Sequence, residues 1–168
     1  MAKGGPGQPG PSLKARALRL LAQREHSRAE LMRKLAPHTD DEAALVAALD
    51  DLQAKGFISE ERVAESVLHR RAARLGATRV RSELQAKGLS VAVVNDAVQQ
   101  LRHTERDRAQ AVWTKKFGQP PADAKSRAQQ MRFLAARGFA PDAIREVVPR
   151  VSQGPGASDP DGCQDDEA

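Results

Sequence analysis

The sequence predicts an all-α protein of three tandem three-helix repeats forming an elongated, curved array. Three observations carry this. Leu35, Leu84 and Leu134 stand 49 and 50 residues apart, and ten residues beyond each comes an aliphatic residue: Leu45, Val94 and Ile144. From there the match continues in register through Ala48, Ala97 and Val147, then Leu49, Val98 and Val148, then Leu52, Leu101 and Val151, an i, i+3, i+4, i+7 stripe written three times. Finally, the chain has no Tyr and 3% aromatics, and it lacks the alternating apolar pattern that strands need.

Residues 1–11, MAKGGPGQPGP, are expected to be a disordered leader, because Gly and Pro oppose both helix and strand. The first repeat is expected over residues 12–58. Ser12 caps a helix carrying Leu13, Ala17, Leu20 and Leu21; Ser27 to Glu30 forms a capping box before Leu31 and Leu35; a third helix runs from Asp41 to Lys55. The middle helix ends at Ala36-Pro37-His38, where proline stops it.

The second repeat, 59–103, opens on the Ser59 cap with Glu60 and Glu61 matching the positive end of the helix, and Phe57-Ile58 is placed to staple it to its predecessor. Its middle helix ends at Lys87-Gly88, and Ser90 is expected to cap the third. The third repeat, 104–151, starts from a capping-box-like Thr104-Glu105-Arg106-Asp107. A break at Gly118-Gln119-Pro120-Pro121 follows, then a helix from Ala124 to Arg137 stopped by Gly138, then a last helix from Pro141 to Val151. Residues 152–168 are expected to be a disordered acidic tail.

Charge divides along the chain. The tail holds five acids and no base, and the leader adds only Lys3, so residues 12–151 carry 26 of the 27 bases and 17 of the 22 acids, a net +9. Such a body suits an acidic partner, and the tail is placed to compete with that partner for it. No apolar run is long enough for a membrane span, and the lone Cys163 in the tail allows no internal disulfide, which suits a reducing cytoplasm.

Chemistry is sparse. His26, His38, His69 and His103 stand singly with no cysteine partners, so no metal site is expected; phosphate loops and nucleophile–base pairs are also missing, so neither cofactor nor enzyme activity is expected. Phe57, Trp113, Phe117 and Phe139 fall where a core or helix junction would use them. Contact with nucleic acid is therefore expected at phosphates, salt-sensitive and poor in sequence preference.

Three runs resemble the signatures of the RecX family: Leu52 to Ala64 (LQAKGFISEERVA), Arg74 to Leu89 (RLGATRVRSELQAKGL) and Arg132 to Phe139 (RFLAARGF). Val63 departs from the pattern, which more often has an aromatic there. The resemblance implies a regulator of the RecA recombinase, a cytoplasmic monomer lying in the groove of the RecA filament on single-stranded DNA, with direct contact to DNA phosphates as a further expectation. It implies inhibition of RecA ATPase, strand exchange and co-protease activity. The candidate binding residues are the bases flanking the middle helices: Arg70, Arg71, Arg74, Arg79, Arg81 and Lys87 in the second repeat, and Lys115, Lys116, Arg127, Arg132 and Arg137 in the third. Two alternatives stand beside this: a helix-turn-helix DNA-binding regulator, and a helical scaffold for an acidic protein.

Overall fold

The computed structural model describes residues 10–151; the tail at 152–168 and all of the leader but Gly10 and Pro11 lie outside it. Among the described residues nine α-helices follow one another: α1 (Leu13–Gln23), α2 (Arg28–Leu35), α3 (Glu42–Ala54), α4 (Glu60–Arg71), α5 (Ala77–Ala86), α6 (Val91–Arg102), α7 (Glu105–Lys116), α8 (Ala124–Ala136) and α9 (Pro141–Val147), with a short 3-10 turn over Ala36–His38. They pack as three triplets, each around its own core. Leu35, Leu84 and Leu134 are 1%, 0% and 0% exposed and sit at the centres of three separate clusters, with Leu45, Val94 and Ile144 beside them.

Most helix starts follow the local sequence. Ser12 Oγ accepts the Ala15 N–H, and Ser27 with Glu30 closes a complete capping box. Asp41 accepts the Ala44 N–H, and Ser59 Oγ accepts that of Arg62. Gly88 and Gly138, at φ 73° and 80°, take the left-handed conformation that turns the chain out of α5 and α8.

Four expectations are corrected. Ser90 makes no side-chain cap bond; its N–H instead donates to Glu60 Oε2 at 2.8 Å. Thr104 does not cap α7 either, and Glu105 is buried with its carboxylate accepting the Ala140 N–H at 3.2 Å. In both triplets, then, the first residue of the first helix caps the third helix across the core. Phe57 is 48% exposed rather than packed, and Ile58 alone of that pair is buried, in the first core. The last helix stops at Val147, short of Val151, because Pro149 disfavours helical backbone at the residue before it.

The triplets join in file, by one repeated device. The N-terminus of α2 meets the C-terminal cap of α5, where Ser27 Oγ donates to the Lys87 carbonyl at 2.5 Å. The N-terminus of α5 meets the cap of α8 in the same way: the Gly76 N–H donates to the Arg137 carbonyl at 2.9 Å and the Thr78 N–H to Gly138 at 3.2 Å. At both junctions the spare carbonyls of a helix end find donors and opposite partial charges meet; the donors are the spare N–H groups of the helix start at the second junction and the Ser27 hydroxyl at the first. Among the described residues no hydrogen bond or ion pair links the first triplet to the third.

Ser27 thus both caps α2 and bridges two triplets, whereas Ser90 does neither with its hydroxyl. Ser27→Ala is expected to lower stability by about 2 kcal/mol, and Ser90→Ala by less than about 0.5 kcal/mol. Urea denaturation of the two variants checks this.

Candidate functional site

Each junction is built around a buried carboxylate. Glu30 accepts from the Ser27 N–H at 3.0 Å and from Lys87 Nζ and Arg24 at 2.8 and 3.2 Å. Burial pushes its carboxyl up, but those hydrogen bonds outweigh burial and hold it at about 2. Beside it His26 is buried with its Nδ1 unpaired, 3.9 Å from Glu30; burial chiefly, then the Arg24 charge, lowers its pKa. At the second junction Glu105 accepts the Ala77 N–H at 3.0 Å, and Arg108 donates to the carbonyls of Ala72, Leu75 and Leu101 at 2.8, 2.6 and 2.9 Å. Burial lowers the Arg108 pKa, and the nearby Glu105 carboxylate opposes that shift.

Against this frame the eleven candidate bases separate. Lys87 reaches Glu30, Arg127 donates to the Pro149 carbonyl at 3.1 Å, and Arg137 lies 3.7 Å over the Phe133 ring, itself edge-on to Phe117. These three are half-buried, and their charges hold the fold. Arg71 bridges to Glu83 at 3.2 Å, Arg81 donates to Asn95 at 2.9 Å, and Arg70 folds back on the Ser66 carbonyl at 3.0 Å. Arg79 packs at the second junction, where its side chain lies against Gly138. Arg74, Lys115, Lys116 and Arg132 are exposed and make no ion pair or side-chain hydrogen bond among the described residues. Arg33, two residues before Leu35 as Arg132 is before Leu134, is exposed in the equivalent place on α2.

Sequence reasoning read Glu30 and Glu105 only as local cap residues and passed over Arg62 and Arg108. Arg62 donates to Glu25 at 2.9 Å and to the Gly56 and Phe57 carbonyls, tying the start of α4 to the first triplet. The available signal was position: Glu60 and Glu105 are each the residue after a helix cap, too close to the core stripe to be merely solvated.

The described residues gather no cluster of His, Cys, Asp and Glu that could hold a metal ion, and no described helix is long and apolar enough to cross a membrane. The geometry offers charged surface on a jointed frame.

The comparisons agree with that frame. The model for the second three-helix domain of RecX matches residues 59–98, and that for the third matches residues 104–148. The regulatory protein RecX of Leptothrix cholodnii is 56% identical over 141 residues, spanning 84% of this chain and 90% of that protein. That of Ralstonia nicotianae is 49% identical over 151 residues, spanning 90% and 92%. The crystal structure of RecX from Lactobacillus salivarius superposes with a TM-score of 0.70 at 19% identity, over 80% of this chain and 91% of that one, a likeness of fold. A chain of three-helix units with relatives this similar along nearly their whole length belongs to the RecX family of regulatory proteins.

Proposed function

We propose that this protein binds the RecA filament on single-stranded DNA along its groove and inhibits RecA ATPase, strand exchange and co-protease activity, modulating recombinational repair and the SOS response. It acts in the cytoplasm as a monomer without a cofactor, through the units 12–58, 59–103 and 104–151. The observation that carries the reading is the pair of end-to-end junctions. They hold three units in file, so weak contacts with successive subunits of a filament add through effective concentration. A free recombinase subunit offers one such contact, and the filament offers several.

Arg74, Lys115, Lys116 and Arg132 are the bases we assign to the filament and its phosphates, since their charges are uncommitted within the described chain. Arg70, Arg71, Arg79 and Arg81 contribute at its margin, and Lys87, Arg127 and Arg137 act indirectly by holding the frame. The helix-turn-helix reading fares worse: on α3, the first unit's candidate recognition helix, Asp50 and Asp51 are committed to Arg28 and to Lys14 and Lys55, so neither these acids nor these bases are free to read DNA.

Substoichiometric wild-type protein is expected to slow RecA ATP hydrolysis on single-stranded DNA. Replacing Arg74, Lys115, Lys116 and Arg132 together by alanine is expected to weaken filament binding about tenfold or more and to flatten its salt dependence, with the urea midpoint nearly unchanged. If wild type slows RecA at no salt concentration, the proposal fails. An operator-specific footprint that survives moderate salt would favour the helix-turn-helix reading instead.

A further inference from the structure

The seams between the first and third helices of the three triplets are not alike. In the third, Arg106 of α7 bridges to Glu146 of α9 at 3.0 Å; in the first, Lys14 of α1 bridges to Asp51 of α3 at 2.9 Å. Counting from the N-terminal cap positions of these helices, Glu61 stands where Lys14 and Arg106 stand. By the same count on the third helices, Asp96 stands where Glu146 stands and Gln100 where Asp51 stands. The middle triplet has exchanged the base for an acid and kept the acid opposite.

No ion pair closes that seam among the described residues, and a groove of about 330 Å³ runs along it between α4 and α6. Its floor is apolar, made by Ala64, Leu68, Val93 and Ala97, all belonging to or packed on the second core. Glu61, Glu65 and Asp96 stand around it. Glu61 accepts a hydrogen bond from the Ser59 hydroxyl at 2.7 Å, which keeps its carboxyl below the usual range and charged. Most other acids of the body are tied up, as at Glu25, Glu30, Asp50, Asp51 and Glu83.

Glu65 and Asp96 have no hydrogen-bond or ion-pair partner among the described residues, and with Glu61 they ring an apolar floor with like charge, so the arrangement complements a cation that arrives with apolar surface attached. Nucleic acid is repelled by it. The carboxylates do not converge as metal ligands. What fits is a Lys or Arg with a neighbouring aliphatic side chain, as on one face of an amphipathic helix. The basic helix α5 packs on α4 and α6 from within the same triplet, leaving the α4–α6 seam as a separate and oppositely charged surface.

We infer that the α4–α6 groove docks a basic amphipathic segment of a protein subunit in the filament, in which a cation enters between Glu61 and Asp96 and replaces the base the other two triplets supply themselves. The inference rests on the proposed filament binding and names the protein contact that accompanies the phosphate contacts.

Glu61→Arg in the full chain tests it, since the new arginine reproduces the Arg106–Glu146 arrangement against Asp96 and closes the seam. The expected result is a thermal midpoint no lower than wild type, binding to RecA-free single-stranded DNA that is not weakened, and affinity for RecA filaments reduced about tenfold. Glu65→Gln should weaken filament binding by about threefold and decides the matter if the arginine variant misfolds. If wild type binds filaments and both variants bind equally well, the groove inference is overturned while the functional reading stands. If wild type itself does not bind, both fall. A thermal shift by spermidine that Glu61→Arg abolishes, with filament binding unchanged, would assign the groove to a small polycation and overturn the protein contact.

Discussion

Replacing Gly76 by alanine is expected to loosen the third triplet from the second, and Trp113 should report it. A methyl group at Gly76 would lie 2.2 Å from the Gly138 oxygen and 2.3 Å from the Gly138 carbon and the Phe139 nitrogen, all backbone atoms with no rotamer to yield. The chain must therefore shift, stretching the Gly76 to Arg137 and Thr78 to Gly138 hydrogen bonds and the Glu105 bonds beside them. Overpacking with the loss of one or two hydrogen bonds amounts to about 3–5 kcal/mol. Because arrays are stabilised unit by unit and interface by interface, the loss should not spread evenly. Trp113 is the sole tryptophan and is buried in the third core. Its fluorescence should fall away at lower urea than the far-UV circular dichroism signal, and coincident, wild-type-like transitions would contradict the junction described above.

The first junction should fail by charge. Lys87→Met keeps the side-chain stem but leaves Glu30 buried with only the half-exposed Arg24 as a cation. Removing one member of a buried pair is costly, and we expect about 3 kcal/mol at neutral pH. The same carboxylate sets an acid response in the wild type. Its folded-state pKa of about 2 lies below the ordinary 4.5, so the unfolded chain binds the proton more readily. Its contribution is whole above pH 4.5 and is lost as pH falls toward 2, on the order of 3 kcal/mol in all. His26 acts in the same sense at higher pH, because its buried neutral ring resists protonation and stability declines as pH falls below 6.5. In Lys87→Met the Glu30 carboxyl moves up, so less stability remains to be lost below pH 4.5. Urea midpoints across the acid range distinguish this from general acid expansion, which would affect both proteins alike.

The local chemistry of the helices was legible because it is short-range. Ser27 and Glu30 are three residues apart and cap one another whatever else the chain does. Gly88 and Gly138 stop their helices for reasons confined to a single turn. What could not be read was any bond whose partner lies in another helix. Glu30 looked complete as a capping residue, but it also receives Lys87 from 57 residues away. Glu105 looked like the second residue of a capping box, and only the approach of α5 and α9 reveals it as the acceptor for both. Ser90 looked a sound local cap, but its hydroxyl makes no cap bond, and its own N–H is taken by the distant Glu60 carboxylate. Among the candidate bases, residue type alone did not separate Arg132, exposed and uncommitted, from Arg137, stacked on Phe133 five residues later.

The sequence by itself determined the helices, their threefold repetition and the identity of the buried leucines, because period, caps and stops depend on neighbours within a turn or two. Tertiary structure alone decided how the units are joined and which charges remain available. Both depend on which helix end meets which. A carboxylate held by backbone N–H groups and a carboxylate ringing an open groove are the same residue type in the sequence, and they differ only in what the fold brings within hydrogen-bonding distance.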